Sequence, residues 1–135
     1  MRFWPMQLIF RFLIIEESMA SRIVIRDQFS RLNQHVDLVS TMDEALERIT
    51  FMPYDMILID SHFYHLLRTM NFTASIPEHH KMTPCPFIGI LANNNVNLSY
   101  HEVAEDYLYF SKPFSPEKTV QIIDYLKASL NSSRK

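Results

Sequence analysis

Glycine is almost missing from this chain, which has one in 135 residues. Loops that cradle a phosphate with backbone amides need glycine for close approach, so a Gly-rich nucleotide site is excluded. Cysteine is equally scarce. Cys85 stands alone, so no internal disulfide can form and a reducing, cytoplasmic setting is the expectation. Charge of one sign is lacking too: the net charge of −2 carries no footprint of a nucleic-acid or membrane-surface partner. No apolar run approaches the roughly 18 residues of a membrane span. The apolar start, Phe3, Trp4, Met6, Leu8, Ile9 and Phe10, faintly resembles a signal peptide. Pro5 and Arg11 interrupt it, and Glu16-Glu17 sit where a cleavage region would begin. It reads as an extension packed on the domain.

What is present suits one globular domain. The apolar fraction of 47% supports a core, and the charged fraction of 21% is ordinary. The expected division is an extension over 1–10, a domain over 11–130 and a flexible tail over 131–135. The eight methionines read as core filler.

Apolar runs alternate with helical periodicity. Phe12-Leu13-Ile14-Ile15 and Met56-Ile57-Leu58-Ile59 are apolar at every position, as strands covered on both faces are. Val36 to Val39 alternates like an edge strand. Phe87 to Leu91 reads as a fourth strand and Tyr107 to Phe110 as a fifth. Between them, Met19 to Leu32 reads as a helix with Met19, Ile23, Phe29 and Leu32 on one side. Met42, Ala45, Leu46 and Ile49 have i, i+3, i+4, i+7 spacing, and Thr41 with Glu44 forms a capping-box pattern. Residues 64–72 and 99–106 read as further helices, and 73–85 as a polar loop. Asn93-Asn94-Asn95 can take left-handed turns in glycine's place. Ser115-Pro116-Glu117 opens a last helix whose expected apolar face is Val120, Ile123, Leu126 and Leu130. The fold class is α/β, with a five-stranded parallel sheet covered by helices on both faces.

In such sheets the working site lies at the carboxyl ends of the strands. That rule brings Glu16, Glu17, Asp60, Leu91 and Lys112 together. Acids after the first strand could hold a divalent cation, Asp60 could be a nucleophile, and Lys112 could neutralise charge. These are the parts that phosphoryl transfer to a carboxylate needs.

In that order, Phe12–Ser18, Tyr54–Asp60 and Tyr107–Phe114 resemble the receiver domains of two-component response regulators, over roughly residues 11–130. The resemblance implies a flavodoxin-like sheet of order 2-1-3-4-5. It makes Asp60 the phosphoacceptor position, Lys112 the site lysine, and Glu16, Glu17 and Asp60 the metal positions for Mg²⁺. Tyr109 falls on the aromatic switch position. The implied partners are a histidine kinase or other signalling protein, or a second copy meeting on the face of the fourth helix, fifth strand and fifth helix.

The departures from that pattern point the other way. Leu91 stands where the family has Thr or Ser, so no hydroxyl is offered to a phosphoryl group. Two glutamates replace a pair that usually holds an aspartate. Each extra methylene moves a carboxylate by about an ångström, against a near-ideal octahedron at about 2.1 Å for Mg²⁺. Mg²⁺ is therefore expected to bind weakly or not at all. Ser61-His62-Phe63-Tyr64 lacks the Met-Pro segment and glycine that usually follow the acceptor. Two readings stay open: an atypical receiver that signals by protein–protein interaction, and a phosphoacceptor that uses Asp60 with Mg²⁺. An enzyme is not expected, because a hydrolase built on Asp60 would lack an acid–base partner and a cap. His62, His65, His79, His80 and Cys85 do not assemble a zinc set by spacing and read as loop surface.

Overall fold

The computed structural model describes residues 9–63, 65–66, 87–93, 108–112 and 115–133. The elements are β1 (Arg11–Ile15), α1 (Met19–Arg31), β2 (His35–Val39), α2 (Met42–Phe51), β3 (Met56–Asp60), a 3₁₀ turn (Ser61–Phe63), β4 (Phe87–Asn93), β5 (Leu108–Lys112) and the C-terminal helix, α3 (Pro116–Ser133). All strand pairs are parallel, and the order is β2-β1-β3-β4-β5. This is the flavodoxin-like order expected from the sequence. The expected helices at 64–72 (His65 and Leu66 apart) and 99–106, the 73–85 loop, Tyr107, Pro113 and Phe114 lie outside the described residues.

Strand alternation divides the core into two layers. Leu13, Ile15, Ile57, Ile59 and Ile90 pack with Met42, Ala45 and Ile49 of α2. Phe12, Ile14, Met56, Leu58 and Leu91 pack with Ile25 and Phe29 of α1 and with Ile122, Ile123 and Leu126 of α3. This explains why Phe12–Ile15 of β1 and Met56–Ile59 of β3 are apolar at every position: both faces are covered. Full burial of such side chains is worth about 1.5–3 kcal/mol each.

The helix ends follow local chemistry. Ser18 caps α1 by accepting the Ser21 amide, and Thr41 caps α2 by accepting the Glu44 amide at 3.1 Å. The second half of the expected capping box is displaced by one residue, because the Glu44 carboxylate meets Ser40 N and Oγ. After α1, Asn33 takes φ 57°, a left-handed turn that asparagine tolerates.

The single glycine serves no turn. Gly89 sits inside β4, where a Cβ would lie 2.7 Å from Leu58 Cδ2 and 3.1 Å from Phe110 Cε2. Its missing side chain lets neighbouring strands pack their large residues over β4.

Three expectations need correction. On α1, Met19 and Ile23 are exposed, and the buried residues are Ile25 and Phe29. The apolar residues of that helix are scattered around it, so the sheet selects the pair four apart. On α3, Val120 is exposed and Thr119 is buried in its stead. The Thr119 hydroxyl is satisfied by Gln28 Oε1 at 2.8 Å and Ser115 O at 3.1 Å, which removes the cost of burying it. Finally, α3 continues to Ser133, into the segment expected as a tail, since no glycine or proline stops it. At the other end, Phe10 packs into the core layer of α1 and α3. It is buried, and its amide donates to Gln34 Oε1 at 2.8 Å.

Candidate functional site

The carboxyl ends of β1, β3 and β5 converge on three charged side chains. Glu16 follows β1 directly and prolongs its pairing, with its amide donating to Val39 O at 2.9 Å. Asp60 ends β3, and Lys112 ends β5. The Lys112 ammonium donates to Glu16 Oε2 and to Asp60 Oδ2, each at 2.9 Å. Only 2% of the Glu16 side chain, 13% of Asp60 and 14% of Lys112 remains exposed. The other Asp60 oxygen, Oδ1, accepts the His62 amide at 3.1 Å. Both acceptor atoms of Asp60 are thus engaged within the chain.

Electrostatics bind the three groups further. Burial raises the Glu16 pKa, and its hydrogen bond with Asp60 raises it more, against the pull of Lys112. Burial also works on Asp60, but its bonds with Glu16, Lys112 and the His62 amide prevail and hold it below the usual carboxylate range. Burial would lower Lys112, yet the two carboxylates outweigh it and raise the value. A proton shared by the two acids therefore rests preferentially on Glu16.

Glu17 does not join this set. Its carboxylate is 65% exposed and lies 3.3 Å from His62 Nε2, itself 67% exposed. The two adjacent glutamates thus part: Glu16 turns into the site and Glu17 turns out to the rim. Among the described residues, no three His, Cys, Asp or Glu side chains are grouped so as to hold a metal ion. Of the three acids expected as metal positions, Glu16 and Asp60 share the Lys112 ammonium and Glu17 lies beside His62.

Arg22 is a site residue that sequence reasoning missed. From the first turns of α1 its Nη1 donates to Glu16 O and Glu17 O, both at 2.8 Å. It clamps the acidic loop and fixes the path along which Glu16 enters. The available signal was its place just beyond the Ser18 cap, where a long donor can reach back over the helix start.

Leu91 is the register partner of Asp60 and is 1% exposed, packed in the layer facing α1 and α3. No hydroxyl stands at that point. Leu91 pairs with Phe110, whereas Tyr109 pairs with Ile90. Alternation therefore puts Leu91 and Tyr109 on opposite faces of the sheet, and Tyr109 is 37% exposed. His79, His80 and Cys85 lie outside the described residues. Among the described residues, no helix is long and apolar enough to cross a membrane.

No family model matches the sequence, and no curated protein matches it either. Solved structures do resemble the fold. A CheY-like response-regulator receiver domain from Methylobacillus flagellatus has TM-score 0.67 at 19% identity, covering 88% of this chain and 99% of its own. The N-terminal domain of a response regulator/sensory box/GGDEF protein from Carboxydothermus hydrogenoformans has TM-score 0.69 at 16% identity, covering 93% and 99%. The receiver domain of a Pseudomonas aeruginosa sensor histidine kinase, solved with magnesium in its active-site cleft, has TM-score 0.64 at 19% identity, covering 88% and 95%. The chain thus has the fold of response-regulator receiver domains.

Proposed function

We propose that this chain is an atypical receiver module in signal transduction, acting through protein–protein interaction rather than as a full phosphorylation switch. The observation that carries the reading is the closure of Lys112 on Glu16 and Asp60 at 2.9 Å each. Phosphoryl transfer to a carboxylate depends on positioning and on neutralising charge at the incoming group. Here the neutralising cation is already shared between two buried acids, and Leu91 offers no hydroxyl beside Asp60. The partner is a histidine kinase or another signalling protein in the cytoplasm, or a second copy of the chain. Of the aromatic residues expected to cluster on the docking face named from the resemblance, Tyr107, Tyr109 and Phe110, the described ones are Tyr109, 37% exposed, and Phe110, partly buried against the core.

The test is incubation of the full chain with a small phosphoryl donor and Mg²⁺, read by intact mass. The expected result is an unchanged mass. A stoichiometric gain of one phosphoryl group that disappears in Asp60→Asn would overturn the reading. It would establish the second reading, a phosphoacceptor served by a histidine kinase with Mg²⁺. The place of Asp60 at the carboxyl end of β3 favours that alternative, since a phosphoacceptor carboxylate would stand there.

A further inference from the structure

We infer that Lys112 stands in for the divalent cation of this site, its ammonium bridging Glu16 and Asp60 so that the chain takes up no Mg²⁺ while the lysine is in place. This deepens the reading above and rests on it only for the identity of the site.

Three observations carry the inference. First, one nitrogen takes an oxygen from each acid, Glu16 Oε2 and Asp60 Oδ2, at 2.9 Å. A metal bridging the same two oxygens would compete directly with that nitrogen. Mg²⁺ needs ligands at about 2.0–2.1 Å in an octahedron and keeps several of its waters. The ammonium fills the position between the acids, and a second cation beside it would meet like-charge repulsion in a mostly buried setting. Second, the acid that could recruit a metal from the rim, Glu17, faces His62 instead. Third, Arg22 donates to both loop carbonyls, which fixes the backbone from which the Glu16 side chain reaches Lys112.

Displacing the lysine should therefore create the site that the native chain lacks. Mn²⁺ is the probe, with uptake read as loss of the free-ion paramagnetic resonance signal. The proteins are the wild type, Lys112→Met, Lys112→Arg and Lys112→Met/Glu16→Gln, each checked for folding by circular dichroism. Wild type and Lys112→Arg should leave the signal unchanged. Lys112→Met should take up one equivalent, with affinity at least about tenfold above wild type, because a competing unit charge has gone. The double variant should lose that gain.

Stoichiometric Mn²⁺ uptake by the wild type would overturn the inference, as would a folded Lys112→Met that gains nothing. If Lys112→Met does not fold, the wild type and Lys112→Arg decide: uptake by either overturns the inference, and its absence in both supports it. A wild type that binds Mn²⁺ yet gains no phosphoryl group would sink this inference and leave the proposed function standing.

Discussion

At the amino-terminal edge of the sheet, Asp55 Oδ2 accepts the Arg11 amide at 2.8 Å, and at the middle of β2 Asp37 Oδ2 accepts the hydroxyl of Tyr54, which precedes β3, at 2.7 Å. At the carboxyl edge, Glu16 and Asp60 meet a single ammonium. The donors to the first pair of acids are a backbone amide and a phenol hydroxyl, and Asp37 also lies 3.6 Å from His35 Nε2. The first bond ties the start of β1 to the residue before β3, and the second ties Tyr54 to β2. The second pair shares one ammonium, so a single substitution removes a charged partner from both acids at once, leaving Asp60 its bond from the His62 amide. The amino edge is a set of separate ties, and the carboxyl edge is a coupled charge cluster. That difference sets the carboxyl edge apart, and it is there that the proposed site lies.

The largest expected effect breaks the coupled end. Lys112→Met leaves two mostly buried acids with no counter-ion, and should cost about 3 kcal/mol in urea unfolding. Adding Glu16→Gln should recover part of that loss, since the two positions share one partner. Additive losses would mean that the cluster is not coupled. Next comes a change remote from both edges. Gly89→Ala puts a methyl 2.7 Å from Leu58 Cδ2, and overpacking of this kind costs about 1–3 kcal/mol. It should lower the thermal midpoint without altering Mn²⁺ uptake. Asp55→Ala, at the amino edge, removes the partner of the Arg11 amide. It should cost about 1–2 kcal/mol, and faster hydrogen exchange at Arg11 would report the freed amide.

The smallest effect separates the edges by pH. Burial first, and then its bond to Asp37, raise the Tyr54 pKa above the ordinary 10.0. A raised group stabilises the fold below its unfolded value and loses that stability as pH rises through the folded one. Lys112, raised above 10.5 by its two carboxylates despite burial, acts in the same sense. Asp60 has the opposite sign: held below 3.8 by its bonds against the effect of burial, it loses its contribution as pH falls through the depressed value. Glu16, raised mainly by burial, blunts that acid limb. Tyr54→Phe should therefore cost about 1 kcal/mol at neutral pH. It should also flatten the decline of the urea midpoint above pH 10.0 while leaving the acid limb alone.

Much of the fold was legible because it rests on patterns of period two and on full apolar runs. Phe12–Ile15 and Met56–Ile59 are buried on both faces as their composition requires. Asp60 and Lys112 were legible as neighbours because strand ends converge in this topology. What escaped depends on single side chains. Thr119 is polar by type yet buried, because Gln28 and Ser115 satisfy its hydroxyl. Met19 is apolar yet exposed, because the sheet lies under Ile25 and Phe29. Glu16 and Glu17 are identical in chemistry and adjacent in sequence, and only their opposite directions off the β1 end distinguish the buried one from the rim. Arg22 acts through its reach back to backbone carbonyls, which no residue pattern announces.

The central claim is that Lys112 keeps the carboxyl edge closed. The most direct measurement is a titration of the folded wild type with Mg²⁺ and beryllofluoride, a phosphoryl mimic, followed at the backbone amides of Asp60, His62, Leu91 and Phe110 by NMR. With Lys112 closed on both acids, these resonances should stay in place throughout the titration. A new set of resonances at these amides, growing to saturation and absent in Asp60→Asn, would contradict it.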